Sequence, residues 1–329
     1  MDDMSKIDIR AGLQIPLFDY DDVPTDRLFE TVAAAAVQAE AVGFDSVYVM
    51  DHFYQLPMLG APDDNMLEAY TLLSALAART SRVRLGCMVG GMTYRNPAML
   101  AKMVTTLDVI SGGRAIWGIG AGWFEQEHDG YGYEFGTFTD RFEKLEEGLQ
   151  IAKSMFVDHA TSFDGKWFTV RNAFNTPKPI QAGGPPVLIG GSGERKTLRM
   201  VAQYGDACNL FGSPSAVRRL LGVLDEHCER LGRDPGEICR TRLGTVSIAP
   251  TMEQARAKAQ RRIDRLGALP ADDRERLLAQ THIGDPDTIG EQMQAFEEAG
   301  LDGMVCNTVD VTDHEALQLL GGVLRRVFG

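Results

Sequence analysis

Apolar runs of strand length alternate with longer segments of helical period along nearly the whole chain. That alternation restricts the fold more than any single motif does. Strand-like runs fall at residues 7–15, 46–50, 83–89, 114–119, 187–189, 207–211, 243–248 and 303–307. Helical periods fill the spaces between them. One runs over 26–42, capped at Thr25 and stopped by Gly43; others cover 66–79, a stretch opening at Pro97, 137–156 and 314–327. A further helical region spans 253–299, and Asp164-Gly165 marks a small hairpin over 161–170. Doubly wound sheets use the same units, so the count decides, and eight units predict an α/β fold of the (β/α)8 TIM-barrel type. Residues 123–185 and 250–285 exceed a minimal unit and read as insertions after strands 4 and 7. No linker or low-complexity segment interrupts the chain, so residues 1–329 are expected to form a single domain.

Composition narrows the function classes. A formal net charge of −13 disfavours sequence-independent nucleic-acid binding, and also disfavours adsorption to anionic membrane lipid. The cysteines Cys87, Cys208, Cys228, Cys239 and Cys306 show no C-x-x-C pair and no histidine at metal-ligand spacing, so no metal is expected and reduced thiols are. The N-terminal stretch MDDMSKIDIR lacks the apolar segment of a secretory signal, and no run reaches the ~18 apolar residues of a membrane span. A cytoplasmic protein is the expectation.

In a barrel, chemistry gathers where the strands end. The second strand ends in Asp51-His52, the third near Cys87-Met88-Val89-Gly90-Gly91, the fourth in Gly118 to Gly122 and the fifth in Gly190 to Gly193. Four successive strands thus bring glycine or a titratable pair to one rim. The segment IGGSGER at 189–195 has the small residues of a phosphate loop, with Ser192 as an added donor and a helix expected from Glu194. A tight strand-to-helix turn needs the same glycines. His52 suits a general acid or base, or else a capping or core role. Glu127, His128 and Tyr131 have the spacing of one helix face, which serves either a site or solvent. GIGAG does not complete a dinucleotide fingerprint, because its third glycine falls on Trp123.

Together, VYVMDHF (47–53), VRLGCMVGGMTYRNPAMLAK (83–102), LDVISGGR (107–114), GIGAGWFEQEHDGYGYEF (118–135), RFEKLEEGLQI (141–151), PPVLIGGSGERKTL (185–198) and GDPDTIGEQMQAFEEAGLDGMV (284–305) carry a family likeness. The chain resembles the bacterial luciferase-like flavin and deazaflavin oxidoreductases, in particular the coenzyme F420-dependent branch. The resemblance implies a TIM barrel binding F420, or alternatively FMN, at its C-terminal rim. It implies cofactor phosphate at Ile189, Gly190, Gly191, Ser192 and Gly193, and a ring system along Gly120-Ala121 backed by a bulge at Met88-Val89, often with a non-prolyl cis peptide. Glu127 and Tyr131 are carried as further cofactor contacts. Hydride exchange between deazaflavin C5 and a small organic substrate is the implied reaction, with His52 as the proton donor or acceptor and Asp51 setting its tautomer or touching the cofactor. The alternatives are an FMN monooxygenase fed by a separate flavin reductase, and a barrel that binds cofactor without turnover. A homodimer is implied by the resemblance alone. F420-dependent sugar-phosphate dehydrogenases carry an acid directly after the fourth-strand glycines, whereas this chain has Trp123, and no basic phosphate cluster stands out. An apolar or aromatic substrate fits better with Trp123, Phe124, Tyr131 and Tyr133 nearby.

Overall fold

The computed structural model describes residues 7–21, 23–266 and 269–329. Residues 1–6 of the N-terminal stretch, and Gly267 and Ala268 within the expected helical region, lie outside the described residues. Eight parallel strands close on themselves: β1 Ala11–Ile15, β2 Ser46–Val49, β3 Arg84–Cys87, β4 Ala115–Gly120, β5 Val187–Gly190, β6 Ala207–Leu210, β7 Cys239–Ile248 and β8 Gly303–Thr308. Leu13 of β1 faces Val47 on one side and Cys306 on the other, which is the closure. The expected (β/α)8 barrel is the observed one.

Two apolar layers result from the strand alternation. Inward-facing Ile7, Ile9, Tyr48, Ile116, Leu188, Cys239 and Val305 fill the barrel's lower half. Outward-facing residues such as Leu13, Val49, Trp117, Ile189 and Cys306 pack under the helices. The helix ends follow their local chemistry. Asn96 accepts from the Ala98 and Met99 N–H groups ahead of Pro97–Ser111, and Thr137 with Asp140 forms a capping box on Phe138–Val157. Thr25 itself is helical and Pro24 precedes the helix Thr25–Val42.

Several boundaries differ from expectation. The first strand begins at Ala11; Ile7 and Ile9 instead help fill the barrel. The third stops at Cys87, where the chain bulges through Met88-Val89 before Gly90–Gly91 pairs again with β4. The seventh starts four residues before Leu243, because Arg240 and Arg242 alternate with buried Cys239 and Thr241 and break up its apolar run. The 253–299 region is not wholly helical. It holds Met252–Arg265 and Ala271–Gln280, then a short strand, His282–Gly284, parallel to β7, then Pro286–Glu297.

Candidate active site

The C-terminal ends of the strands open into a cavity of about 1220 Å³. Its base is polar and tied across the barrel. The Gln14 amide donates to the Met88 carbonyl (3.1 Å), Asn307 donates to Gln14 Oε1 (3.0 Å), and Asn209 donates to Thr241 Oγ1 (3.0 Å). Above this base, Asp51, His52, Met88, Val89, Gly120, Ala121, Gly190 and Gly191 all line the cavity. Sequence positions read from four strand ends are thus brought to one place.

His52 stands at the rim. Its Nδ1 lies 2.9 Å from Glu127 Oε2, and Glu127 is completely buried. Three more donors converge on that carboxylate: the backbone N–H groups of Phe53 (2.5 Å) and Tyr54 (2.9 Å), and the Tyr94 hydroxyl (2.6 Å). Burial works to raise the Glu127 pKa, but the hydrogen bonds from His52, Tyr54 and Tyr94 outweigh it and hold the group below the usual glutamate value. An ionised carboxylate can only accept, so Nδ1 of His52 carries a hydrogen. Among the described residues Nε2 has no hydrogen-bond partner, and His52 lines the cavity.

Of the two roles expected for Asp51, it does not set the His52 tautomer, while it does line the cavity. Its carboxylate is held bidentately by Arg95 (2.7 and 2.8 Å) and receives the Gly91 N–H (3.1 Å), while Arg95 also reaches Glu68 (2.6 Å). Orientation of the imidazole belongs to Glu127, which arrives from the short helix Glu125–Tyr131.

Five other predicted contacts stand away from the cavity. Glu127 sits behind His52. Tyr131 is 51% exposed and stacks outside on Phe53, with ring centroids 4.6 Å apart. The expected shared face of Glu127, His128 and Tyr131 is therefore split: the first two are buried and the third is not. His128 is occupied by the Phe124 carbonyl and the Thr93 hydroxyl. Ile189 belongs to the core under the helices. Ser192 accepts the Phe211 N–H through its hydroxyl (2.9 Å), and the exposed Gly193 offers its carbonyl to Leu198 N–H. The helix here begins at Thr197, not Glu194.

Residues 18–303 match the luciferase-like monooxygenase family. The chain belongs to that family. Among its relatives, an F420-dependent glucose-6-phosphate dehydrogenase of Kineococcus radiotolerans is 34% identical over 211 residues, covering 64% of this chain and 61% of the relative. Pyrimidine monooxygenase RutA of Enterobacter cloacae subsp. cloacae is 31% identical over 204 residues, covering 60% and 54%. The matched part is thus under two thirds of either relative's length. An F420-dependent secondary alcohol dehydrogenase solved with an F420-acetone adduct superposes with a TM-score of 0.80 at 21% identity, over 98% of this chain and 99% of that one. EDTA monooxygenase from Chelativorans sp. BNC1 gives 0.82 at 18%, over 98% and 95%. These two structural likenesses establish the shared fold.

In this luciferase-like chain one side of the cavity is a ledge with few side chains. The Met88-Val89 peptide is cis, and Val89 rests on the backbones of two neighbouring strands. A Cβ at Gly190 would come within 2.9 Å of both Val89 methyl groups, and one at Gly120 within 3.2 Å, so the glycines are what let Val89 sit low. Gly191, with φ at +123°, continues this side-chain-free ledge. Trp123, 56% exposed, stands edge-on to His52 with centroids 5.8 Å apart. Phe138, Phe142 and Phe211 add further aromatic surface. Sequence reading missed Arg95 and Tyr94, although both lie in the Gly90–Pro97 connection directly after a strand end. It also missed Arg141, Arg242 and His282, which line the cavity from distant segments.

Proposed function

We propose that this chain is an F420-dependent oxidoreductase in which a small organic substrate exchanges hydride with the deazaflavin. The observation that carries the reading is His52, with Nδ1 fixed on a buried, ionised Glu127 and Nε2 free beside the cavity. Met88, Val89, Gly90, Gly120, Ala121, Gly190 and Gly191 would hold the ring system. Bound there, F420 would supply hydride exchange at C5.

A hydride added to a carbonyl carbon leaves an alkoxide that must take up one proton, and oxidation of the alcohol runs in reverse. In oxidation His52 Nε2 would take the alcohol proton, with Glu127 stabilising the imidazolium that forms, and in reduction that imidazolium would return the proton to the alkoxide. Asp51 and Arg95, already neutralising each other, hold the Gly90-Gly91 connection in place. Trp123 and Phe211 would cover the mouth over a bound ring system. The relatives named for F420 chemistry support this reading.

A second reading, an FMN monooxygenase supplied by a separate reductase, is favoured by the aromatic wall of Trp123, Phe138, Phe142 and Phe211, and by the likeness to RutA. Side-by-side titration of the apoprotein with F420 and FMN, followed by fluorescence quenching, separates the two. Micromolar or tighter F420 binding with much weaker FMN binding is the expected result. The reverse order would move the protein to oxygen chemistry. Binding of neither would leave a barrel without this cofactor.

A further inference from the structure

Charge on the wall opposite His52 is handled differently. Arg242 lines the cavity from β7, and its partners are neutral. Nε donates to the Gly212 carbonyl (2.8 Å), one terminal nitrogen donates to His282 Nε2 (3.1 Å), and the guanidinium lies 4.4 Å from the Phe296 ring centroid. Gln292 fixes the imidazole from the far side, with its Oε1 2.8 Å from His282 Nδ1. The imidazole therefore presents an acceptor nitrogen to Arg242. Arg242 makes no salt bridge with a carboxylate among the described residues. Burial lowers its pKa, yet a guanidinium stays charged in any protein. Burial and the Arg242 charge likewise lower the His282 pKa.

Arg141, which also lines the cavity, repeats the pattern. It donates to the carbonyls of Gly122 (3.1 Å) and Gly136 (2.8 Å) and covers the Phe135 ring. Among the described residues the one carboxylate lining the cavity is Asp51, and it is paired with Arg95, which also reaches Glu68. The lining therefore has an excess of positive charge, although the chain as a whole carries −13. A partly buried cation with only neutral partners is left short of the ion that would offset its desolvation. Two of the five guanidinium N–H groups are used by Gly212 and His282, and among the described residues the other three have no hydrogen-bond partner.

We propose that Arg242, steadied by His282, is the anchor for an oxyanion, a carboxylate or a phosphate, on a molecule bound in this cavity. The anchor deepens the proposed function and rests on it only for what the rest of that molecule is. Planar, multi-donor geometry suits both oxyanions. Gly212 follows Phe211, whose N–H is held by Ser192, the residue after Gly191, so the anchor adjoins the Gly190-Gly191 ledge. The anion can therefore come from the substrate or from the cofactor's phosphate.

The test uses the apoprotein and inorganic phosphate, with sodium chloride matched for ionic strength, and reads thermal unfolding. Wild type should show a saturable rise in Tm. Arg242→Gln should weaken the apparent phosphate affinity by about tenfold or more, the range for a lost charge-assisted hydrogen bond. His282→Gln, a second and milder variant, should weaken it severalfold. An unchanged phosphate response in both variants, with circular dichroism like wild type, overturns the anchor. F420 and the deazaflavin riboside lacking a phosphate tail then identify the source. Weaker F420 binding in Arg242→Gln with riboside binding unchanged assigns the cofactor phosphate. Unchanged binding of both, with loss of affinity for carboxylate-bearing substrates, assigns the substrate. An Arg242-dependent phosphate response without F420 binding would overturn the deazaflavin reading and leave the anchor standing. F420 binding without that response would do the opposite.

Discussion

The wall built by β2 to β4 and the wall built by β7 with the helix Pro286–Glu297 both place charge beside the same cavity. On the first, each carboxylate has its oxygens fully engaged by donors within the protein. Asp51 is paired with Arg95, and Glu127 is saturated by four donors including His52. On the second, Arg242 has a backbone carbonyl, an imidazole and a ring. A pair completed within the protein holds a geometry before anything binds. A cation completed only by neutral groups retains most of its attraction for a ligand. On the proposed reading, the first wall serves positioning and proton transfer, and the second capture.

The largest expected effect belongs to the proton-transfer side. His52→Ala should lower turnover by roughly 10²–10⁴-fold, the usual share of a general acid or base, with F420 affinity little changed. Steady-state kinetics beside a binding titration would check it. Wild-type turnover in the variant would remove His52 from the mechanism and dissolve the contrast between the walls.

The same substitution made on each wall separates them further. Arg95→Leu strands the Asp51 carboxylate in a buried setting and should cost about 3–5 kcal/mol of stability. Arg242→Leu strands no carboxylate, and loses about 1 kcal/mol from its hydrogen bonds. Denaturant unfolding of both variants reads the difference directly. Equal losses would mean that Arg242 has a structural debt like that of Arg95.

Much of this was legible in the sequence, for reasons that also explain what was not. Eight apolar runs of strand length are visible because each strand buries apolar side chains, and the glycines and Asp51-His52 are visible because they end such runs. Arg240 and Arg242 hid the start of β7, since a strand that carries long cations no longer looks apolar. His282–Gly284 was too short to interrupt a helical period. Glu127 was noticed for its spacing, but spacing along a helix does not say that its partners are His52 and Tyr94, far away in the chain. The excess of positive charge was hidden most completely. Arg141 and Arg242 form no cluster in sequence, and only barrel closure brings them to one cavity.

Glu127→Gln tests how the first wall is held. Loss of charge-assisted hydrogen bonds should cost on the order of 1.5–3 kcal/mol at neutral pH. The folded-state pKa of Glu127 is depressed, so its contribution is present above the ordinary value of 4.5 and lost as pH falls through the lower folded value. The gap between wild type and variant should therefore close in acid. A gap that stays constant from neutral pH to below 4.5 would mean that the charge of Glu127 does not stabilise the fold.

The smallest effect is expected just outside the first wall. Tyr131 stacks on Phe53, the residue after His52, but its ring is half exposed and does not reach the cavity. Tyr131→Ala should cost about 0.5–1.5 kcal/mol, the value of an aromatic pair beyond its area, and leave F420 affinity unchanged. Loss of cofactor binding in this variant would mean that the Glu125–Tyr131 helix moves inward on binding. Glu127 would then be carried with it, and the positioning wall would be assembled by the ligand instead of waiting for it.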